Sequence, residues 1–134
     1  MSPIASSPLL RRAFALDAAA CASLGLALAA GAAALEAPLG VPAAVSQGVG
    51  AFLIAYAALV GWFGSRATLP AALVWAVILG NVAWAAESVL SLVLGWLSPT
   101  PLGTGVVLLQ AAATLVFADL QFVGLRRSAS LARA

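Results

Sequence analysis

The residue with the clearest potential for chemistry is Glu87, a carboxylate in the middle of a long apolar stretch. The sequence from Gly80 to Trp96 reads GNVAWAAESVLSLVLGW, and most residues on either side of Glu87 are apolar. An ionisable side chain inside a membrane helix is costly, and it marks function by default. Two hypotheses follow. Either a protonated Glu87 joins two helices through hydrogen bonds, or Glu87 is a proton-linked site that releases its proton when it binds a cation.

Glu87 belongs to a polar face of its predicted helix. At 100° per residue, the polar and small side chains of this segment cover about a third of the helix circumference. The candidate site residues on this face are Asn81, Trp84, Glu87, Ser88 and Ser91. Trp84 could line a cavity or fill the core. On the next predicted helix, Gln110 lies nearly as deep as Glu87, and Thr114 follows one turn further in. We expect the Gln110 amide and a neutral Glu87 to exchange hydrogen bonds.

A second polar set comprises Asp17 and Asp119. Each lies one to two turns inside the predicted end of its helix, and arginines occur nearby in the sequence, at Arg12, Arg66 and Arg126. Buried or half-buried charges in membranes usually pair with one another. We therefore predict ion pairs that tie the first and last helices together at the cytoplasmic surface. The alternative is a cytoplasmic gate for the cavity that would contain Glu87.

The rest of the composition excludes several kinds of site. The chain has no histidine and one cysteine, so it cannot form a bis-histidine haem site, a Cys/His zinc site or an intrachain disulfide. No nucleophile has a neighbouring base, and there is no glycine-rich phosphate loop. Six scattered arginines are too few for a nucleic-acid interface. We therefore expect a non-enzymatic protein without metal, cofactor or nucleic-acid partner.

The elements that position these residues are predicted membrane helices. The chain of 134 residues is 64% hydrophobic and 7% charged, whereas a soluble domain carries about 25% charged residues. Four apolar runs reach the roughly 20 residues that span a bilayer as a helix, and they are too long and too uniform for barrel strands. We predict an all-α, integral membrane four-helix bundle as a single domain over residues 1–134. Because its loops are short, sequential helices should pack as antiparallel neighbours. The predicted helices cover 13–35, 44–63, 70–97 and 102–125.

The arginines predict the orientation of this bundle. With four spans they all fall on one side of the membrane: Arg11, Arg12, Arg66, Arg126, Arg127 and Arg133. The positive-inside rule makes that side cytoplasmic, so both termini should lie inside. The abundance of alanine, glycine and arginine, without lysine, favours a bacterial protein and hence the inner membrane. A cleaved signal peptide ending near Ala32-Ala-Ala34 is the competing interpretation, but the run is long for a signal core and Asp17 interrupts it.

The chain carries several short motifs: Arg12 with Asp17, Asn81-Val-Ala-Trp84 with Ser88, Pro99-Thr100 with Gly103, Gln110, and Leu120-Gln-Phe-Val-Gly-Leu-Arg-Arg127. They resemble those of a loose set of small bacterial four-helix membrane proteins of unknown function. The resemblance implies a four-span inner-membrane protein, and no activity comes with it. The small multidrug-resistance transporters are similar in size and span count, but their signature glutamate lies in the first helix, where this chain has only Asp17.

Two functions compete on this evidence. The first is an accessory or structural protein that acts through helix–helix contacts, with the lipid bilayer and either itself or another membrane protein as partners. The second is a proton-linked transporter of a small or cationic solute, with Glu87 as the proton carrier. The first hypothesis predicts that the polar face of the third helix is fully packed. The second predicts a water-accessible cavity that reaches Glu87.

Overall fold

The protein is helical over nearly all of the part that the structure describes. The computed structural model describes residues 3–131. Within this range, four helices are long and apolar enough to cross a membrane, as predicted, and α2 is a short fifth helix. The helices are α1 (Pro8–Ala30), α2 (Ala32–Leu39), α3 (Ala43–Gly64), α4 (Ala71–Val93) and α5 (Pro101–Leu131).

Helix α1 begins five residues earlier than predicted. Pro8 occupies the first turn, where its missing N–H costs nothing, and the Ser7 hydroxyl accepts a hydrogen bond of 3.2 Å from the Leu10 N–H. The helix breaks at Gly31, and α2 continues to Leu39. The predicted helix over 13–35 is therefore two helices, and Asp17 lies deeper in the first one than the sequence suggested.

The connection between α4 and α5 is longer than predicted, because α4 ends four residues early. Helix α4 ends at Val93 instead of residue 97, and Gly95 has a positive φ of 73° that a residue with a Cβ rarely adopts. Thr100 caps α5, because its hydroxyl accepts a 3.1 Å bond from the Gly103 N–H. Helix α5 continues to Leu131, beyond the predicted end at residue 125.

A small two-stranded sheet closes one end of the bundle, and the sequence did not predict it. Strand β1 (Pro3–Ala5) pairs antiparallel with β2 (Thr68–Pro70), which lies between α3 and α4. The Ser7 hydroxyl donates to the Gly124 carbonyl of α5 at 2.8 Å. The start of the chain, the α3–α4 connection and the end of α5 therefore meet at one end, which also carries the arginines of residues 3–131.

The packing order of the long helices is α3, α1, α5, α4. Helix α1 packs closely on α3 and on α5, and α5 packs on α4, whereas α3 and α4 are not among the closely packed pairs. The prediction that all sequential helices are packed neighbours is therefore wrong for this pair. Long side chains make the contact instead, since the Phe52 and Trp84 rings stack with centroids 5.5 Å apart.

The two halves of the bundle differ in how tightly they are packed. At the arginine end a hydrophobic core fills the space between the helices, and the Phe14 and Phe63 rings lie 6.3 Å apart within it. Towards the other end, α3 and α4 leave space between them. Helix α3 instead approaches α1 very closely there, because a Cβ on Gly50 would lie 2.5 Å from the Ala29 nitrogen.

Candidate functional site

A cavity of about 330 Å³ lies in the half of the bundle away from the arginines. All four long helices contribute to its wall, and most of the lining is apolar, with Leu24, Leu28, Val49 and Leu53 among the residues. Glu87 lines this cavity and its side chain is exposed. The predicted polar face of the third helix is therefore not fully packed, and the deep carboxylate borders open space.

Gln110 forms the polar centre of the cavity wall. Its Oε1 accepts a 2.7 Å bond from Trp84 Nε1, and its Nε2 donates to Ser88 Oγ at 2.9 Å and to the Val107 carbonyl at 3.1 Å. Trp84 and Ser88 are four residues apart and hence share the helix face that meets α5. Glu87 is one residue off that face, so the predicted hydrogen-bond exchange between Glu87 and Gln110 is not formed.

The remaining hydroxyls of the predicted site bond to their own helices. Ser88 Oγ donates to the Trp84 carbonyl at 2.8 Å, and Ser91 Oγ donates to the Ser88 carbonyl at 2.8 Å. Thr114 Oγ1 is placed to donate to the carbonyls of Gln110 and Ala111, at 2.9 and 2.8 Å. Ser91 lines the first cavity, and Thr114 lies deeper in the bundle.

A second cavity of about 130 Å³ continues from the first towards the middle of the bundle. The two cavities share Leu24, Leu53, Trp84 and Gln110, so the hydrogen-bonded pair of Trp84 and Gln110 stands between them. Phe52 stacks on Trp84 and on Tyr56 beside the second cavity. Cys21, Tyr56 and Asn81 complete its inner wall.

Behind this wall lies a buried polar cluster around Asp17, whose side chain is 0% exposed. Asp17 Oδ2 accepts bonds from Gln121 Nε2 at 2.7 Å and from Asn81 Nδ2 at 2.8 Å. Cys21 Sγ donates to Asp17 Oδ1 at 3.4 Å. Asn81 Nδ2 also donates to Gln121 Oε1 at 3.2 Å, and the Tyr56 hydroxyl donates to Asn81 Oδ1 at 2.9 Å.

This cluster, which we call the Asp17 cluster, joins all four long helices. Asp17 and Cys21 come from α1, Tyr56 from α3, Asn81 from α4 and Gln121 from α5. Every described donor to Asp17 is a neutral group. A buried carboxylate is retained in an apolar interior only with hydrogen-bond or charge partners, and here neutral amides fill that role.

The predicted ion pairs between Asp17 and the arginines are replaced by this cluster. Arg12 precedes Asp17 by five residues, which places it about 140° away around the helix, and Arg12 is exposed. Arg66 stacks over the Trp62 ring at 4.3 Å, and Arg126 lies 5.8 Å from the centre of the Phe122 ring. Asp119, the other predicted acidic partner, is exposed.

Sequence reasoning missed three members of the Asp17 cluster as site residues. Gln121 follows Gln110 by eleven residues, which puts both on one face of α5 three turns apart. Tyr56 is the only tyrosine of the chain and lies in an apolar run, where its hydroxyl needs a buried partner. Cys21 is four residues after Asp17, on the same face of α1. These spacings can be read from the sequence, but the sequence does not show which helix faces meet, and hence that these residues lie together.

Comparisons with known proteins do not add a functional assignment. No protein-family model, curated protein or solved structure matches the chain. Within the described residues, no group of three or more His, Cys, Asp or Glu side chains could hold a metal ion. The function is therefore argued from the two cavities and the Asp17 cluster.

Proposed function

We propose that this protein is a multi-pass protein of the bacterial inner membrane that binds an amphipathic cation between α3 and α4 and moves it in a proton-linked cycle. The observation that carries the proposal is the cavity of about 330 Å³ with the exposed Glu87 carboxylate on its wall. A volume of this size lies at the lower end of the range for small-molecule sites.

The lining of the cavity supports the proposed ligand class. Its walls are mainly aliphatic, with Trp84 and Trp96 as aromatic members. Apolar walls with a few placed polar groups are typical of small-molecule sites. A carboxylate beside such walls attracts a positive charge, and indole rings also bind cations through their faces. An apolar body with one cationic group therefore matches both the aliphatic wall and Glu87.

The arginine distribution supports the proposed orientation. The described arginines lie at the end where the β1–β2 sheet closes the bundle, and the cavity lies in the opposite half. By the positive-inside rule the closed end faces the cytoplasm, with both termini there. The cavity would then be reached from the outer half of the membrane.

The accessory function remains the alternative, and the open cavity weighs against it. A protein that acts only through helix contacts needs no unfilled space between α3 and α4, since packing is what stabilises membrane helix bundles. The exposed Glu87 would be costly in such a protein.

The experiment is a calorimetric titration of the detergent-solubilised full chain with methyltriphenylphosphonium. Triphenylphosphine oxide, which has the same triphenyl body without the charge, serves as the matched ligand. We expect the cation to bind at least tenfold more tightly than the oxide. Glu87→Gln should weaken cation binding by about tenfold, or about 1.4 kcal/mol, because it removes the coulombic attraction between the carboxylate and the phosphonium charge.

Asp119→Asn is the matched control, since Asp119 is an exposed acidic residue far along α5 from the cavity. It should bind the cation as the wild type does. Equal binding of cation and oxide, or an unchanged affinity in Glu87→Gln, would contradict the proposed ligand class. The absence of any saturable binding by the wild type would favour the accessory function.

A further inference from the structure

We propose that the second cavity is a subsite for one uncharged aromatic ring, so that the cation bound by this protein is one that carries an aryl group. This assignment rests on the proposed function, because the ring belongs to the cation that Glu87 attracts. The subsite itself is built from other residues, since Glu87 lines the first cavity and not the second.

The second cavity has the size of a single ring. Its volume is about 130 Å³. An apolar cavity of about 150 Å³ is large enough to hold one benzene molecule. The whole body of a ligand that fills the first cavity would not fit into the second, so the second cavity can take only one compact part of it.

Aromatic side chains form much of the wall of this cavity. Phe52 stacks on Tyr56 and on Trp84, with ring centroids 6.2 and 5.5 Å apart and ring planes within 17° and 12° of parallel. Phe117 adds a fourth aromatic side chain from α5. Aromatic pairs contribute attraction beyond the area that they bury. Three nearly parallel rings therefore favour a flat aromatic ring over a saturated ring, which is thicker and has no π-system.

The polar groups on this wall are already paired within the protein. Each side-chain donor that the structure describes there has an acceptor in the bundle. These donors belong to Cys21, Tyr56, Asn81, Trp84, Gln110 and Thr114. None of the described lining residues is charged. An anion or a carbonyl group would therefore find no free side-chain donor in the cavity, whereas an uncharged ring needs none.

One ligand can occupy both cavities. The cavities share four lining residues, which are Leu24, Leu53, Trp84 and Gln110. Glu87 lies three residues beyond Trp84 on α4, which is roughly 4.5 Å along the helix axis. A ring beside Trp84 can therefore belong to the same molecule as a cationic centre near Glu87.

The test compares two cations with the same methylphosphonium centre, methyltriphenylphosphonium and methyltricyclohexylphosphonium. In calorimetric titrations of the detergent-solubilised full chain, we expect the wild type to bind the triphenyl cation at least about fivefold more tightly. Cyclohexyl rings are no less apolar than phenyl rings. Burial of apolar surface alone would therefore give equal binding or the opposite order.

Two variants locate the preference in the second cavity. Ala113→Leu fills it, because Ala113 is half-buried and lines the second cavity but not the first. Phe52→Leu removes the ring that stacks on two others, at a side chain that is 53% exposed. Both variants should bind the triphenyl cation about fivefold less tightly than the wild type and the tricyclohexyl cation equally well. Ala112→Leu is the matched control, since Ala112 is exposed and precedes Ala113 on α5, and it should keep the wild-type preference.

Equal binding of the two cations by the wild type would overturn the aromatic subsite, and so would a preference that persists in both Ala113→Leu and Phe52→Leu. If the two cations bind the wild type equally and Glu87→Gln weakens both, the subsite is refuted and the proposed function stands. If neither cation binds saturably to the wild type, the proposed function fails as well. Unchanged affinity of Ala113→Leu for the tricyclohexyl cation shows that this variant is folded.

Discussion

Replacing Asn81 by leucine removes the residue that connects α4 to the Asp17 cluster. Asn81 donates to Asp17 and Gln121 and accepts from Tyr56, at 2.8, 3.2 and 2.9 Å. Leucine has the same branched arrangement of four side-chain heavy atoms, so the substitution leaves no cavity. The change therefore isolates the cost of the three hydrogen bonds and of the polar atoms that lose their partners.

The magnitude follows from the bonds that are lost. Hydrogen bonds between membrane helices contribute about 0.6 kcal/mol on average and at most about 1.7. With three bonds lost, and with one of them going to a carboxylate, we expect a loss of about 2–3 kcal/mol. The bonds that remain to Asp17 come from Gln121 and Cys21. Exchange of a whole buried polar group for apolar residues can be neutral, but here only one partner is removed.

The assay is unfolding by sodium dodecyl sulfate in mixed micelles, followed by circular dichroism. Ala83→Leu is the matched control on α4, since Ala83 is exposed and the substitution introduces the same side chain. It should change stability by less than about 0.5 kcal/mol. Tyr56→Phe should lose about 0.6 kcal/mol in the wild type and nothing more in the Asn81→Leu background. A loss below about 0.5 kcal/mol for Asn81→Leu would show that the hydrogen bonds of Asn81 do not stabilise the bundle.

Two further predictions concern helix packing and orientation. Gly50→Ala should lower the free energy of unfolding by about 1–3 kcal/mol in the same assay, because its Cβ would lie 2.7 Å from the Gly25 carbonyl oxygen. A Cβ on Gly48 meets nothing within 4 Å, so Gly48→Ala should raise the free energy of unfolding by about 0.5–1 kcal/mol through helix propensity. Equal effects of the two substitutions would contradict the close packing of α1 on α3. In a Cys21→Ser background, a membrane-impermeant maleimide should label Ala37→Cys in intact cells and Ala67→Cys only after the membrane is opened. The opposite pattern would reverse the proposed orientation.

Much of the architecture is predictable because it depends on composition and length. Apolar runs of the length of a bilayer span can satisfy their backbone groups only as helices, and this predicted the four long helices correctly. The cap at Thr100 was also predictable, because Pro101 follows it directly. The start of α1 carries the same kind of signal in Ser7 and Pro8, and a start at Pro8 places Asp17 more than two turns inside the helix.

The candidate site was less predictable because it depends on which helices meet. The sequence placed Glu87 and Gln110 at one depth, but it could not show that the Gln110 amide is hydrogen-bonded to Trp84 and Ser88 instead. It also suggested that consecutive helices pack together, whereas α3 and α4 stand apart. The β1–β2 sheet is three residues long on each side, and such short segments carry no periodic signal.

The most direct test of the binding claim is the phosphonium titration repeated with the cavity filled. Val107 lines the cavity, and Leu109, two residues later on α5, is 73% exposed. We predict that Val107→Phe weakens methyltriphenylphosphonium binding by at least tenfold, whereas Leu109→Phe binds it as the wild type does. Equal binding by the two variants would show that the cation binds outside the cavity between α3 and α4.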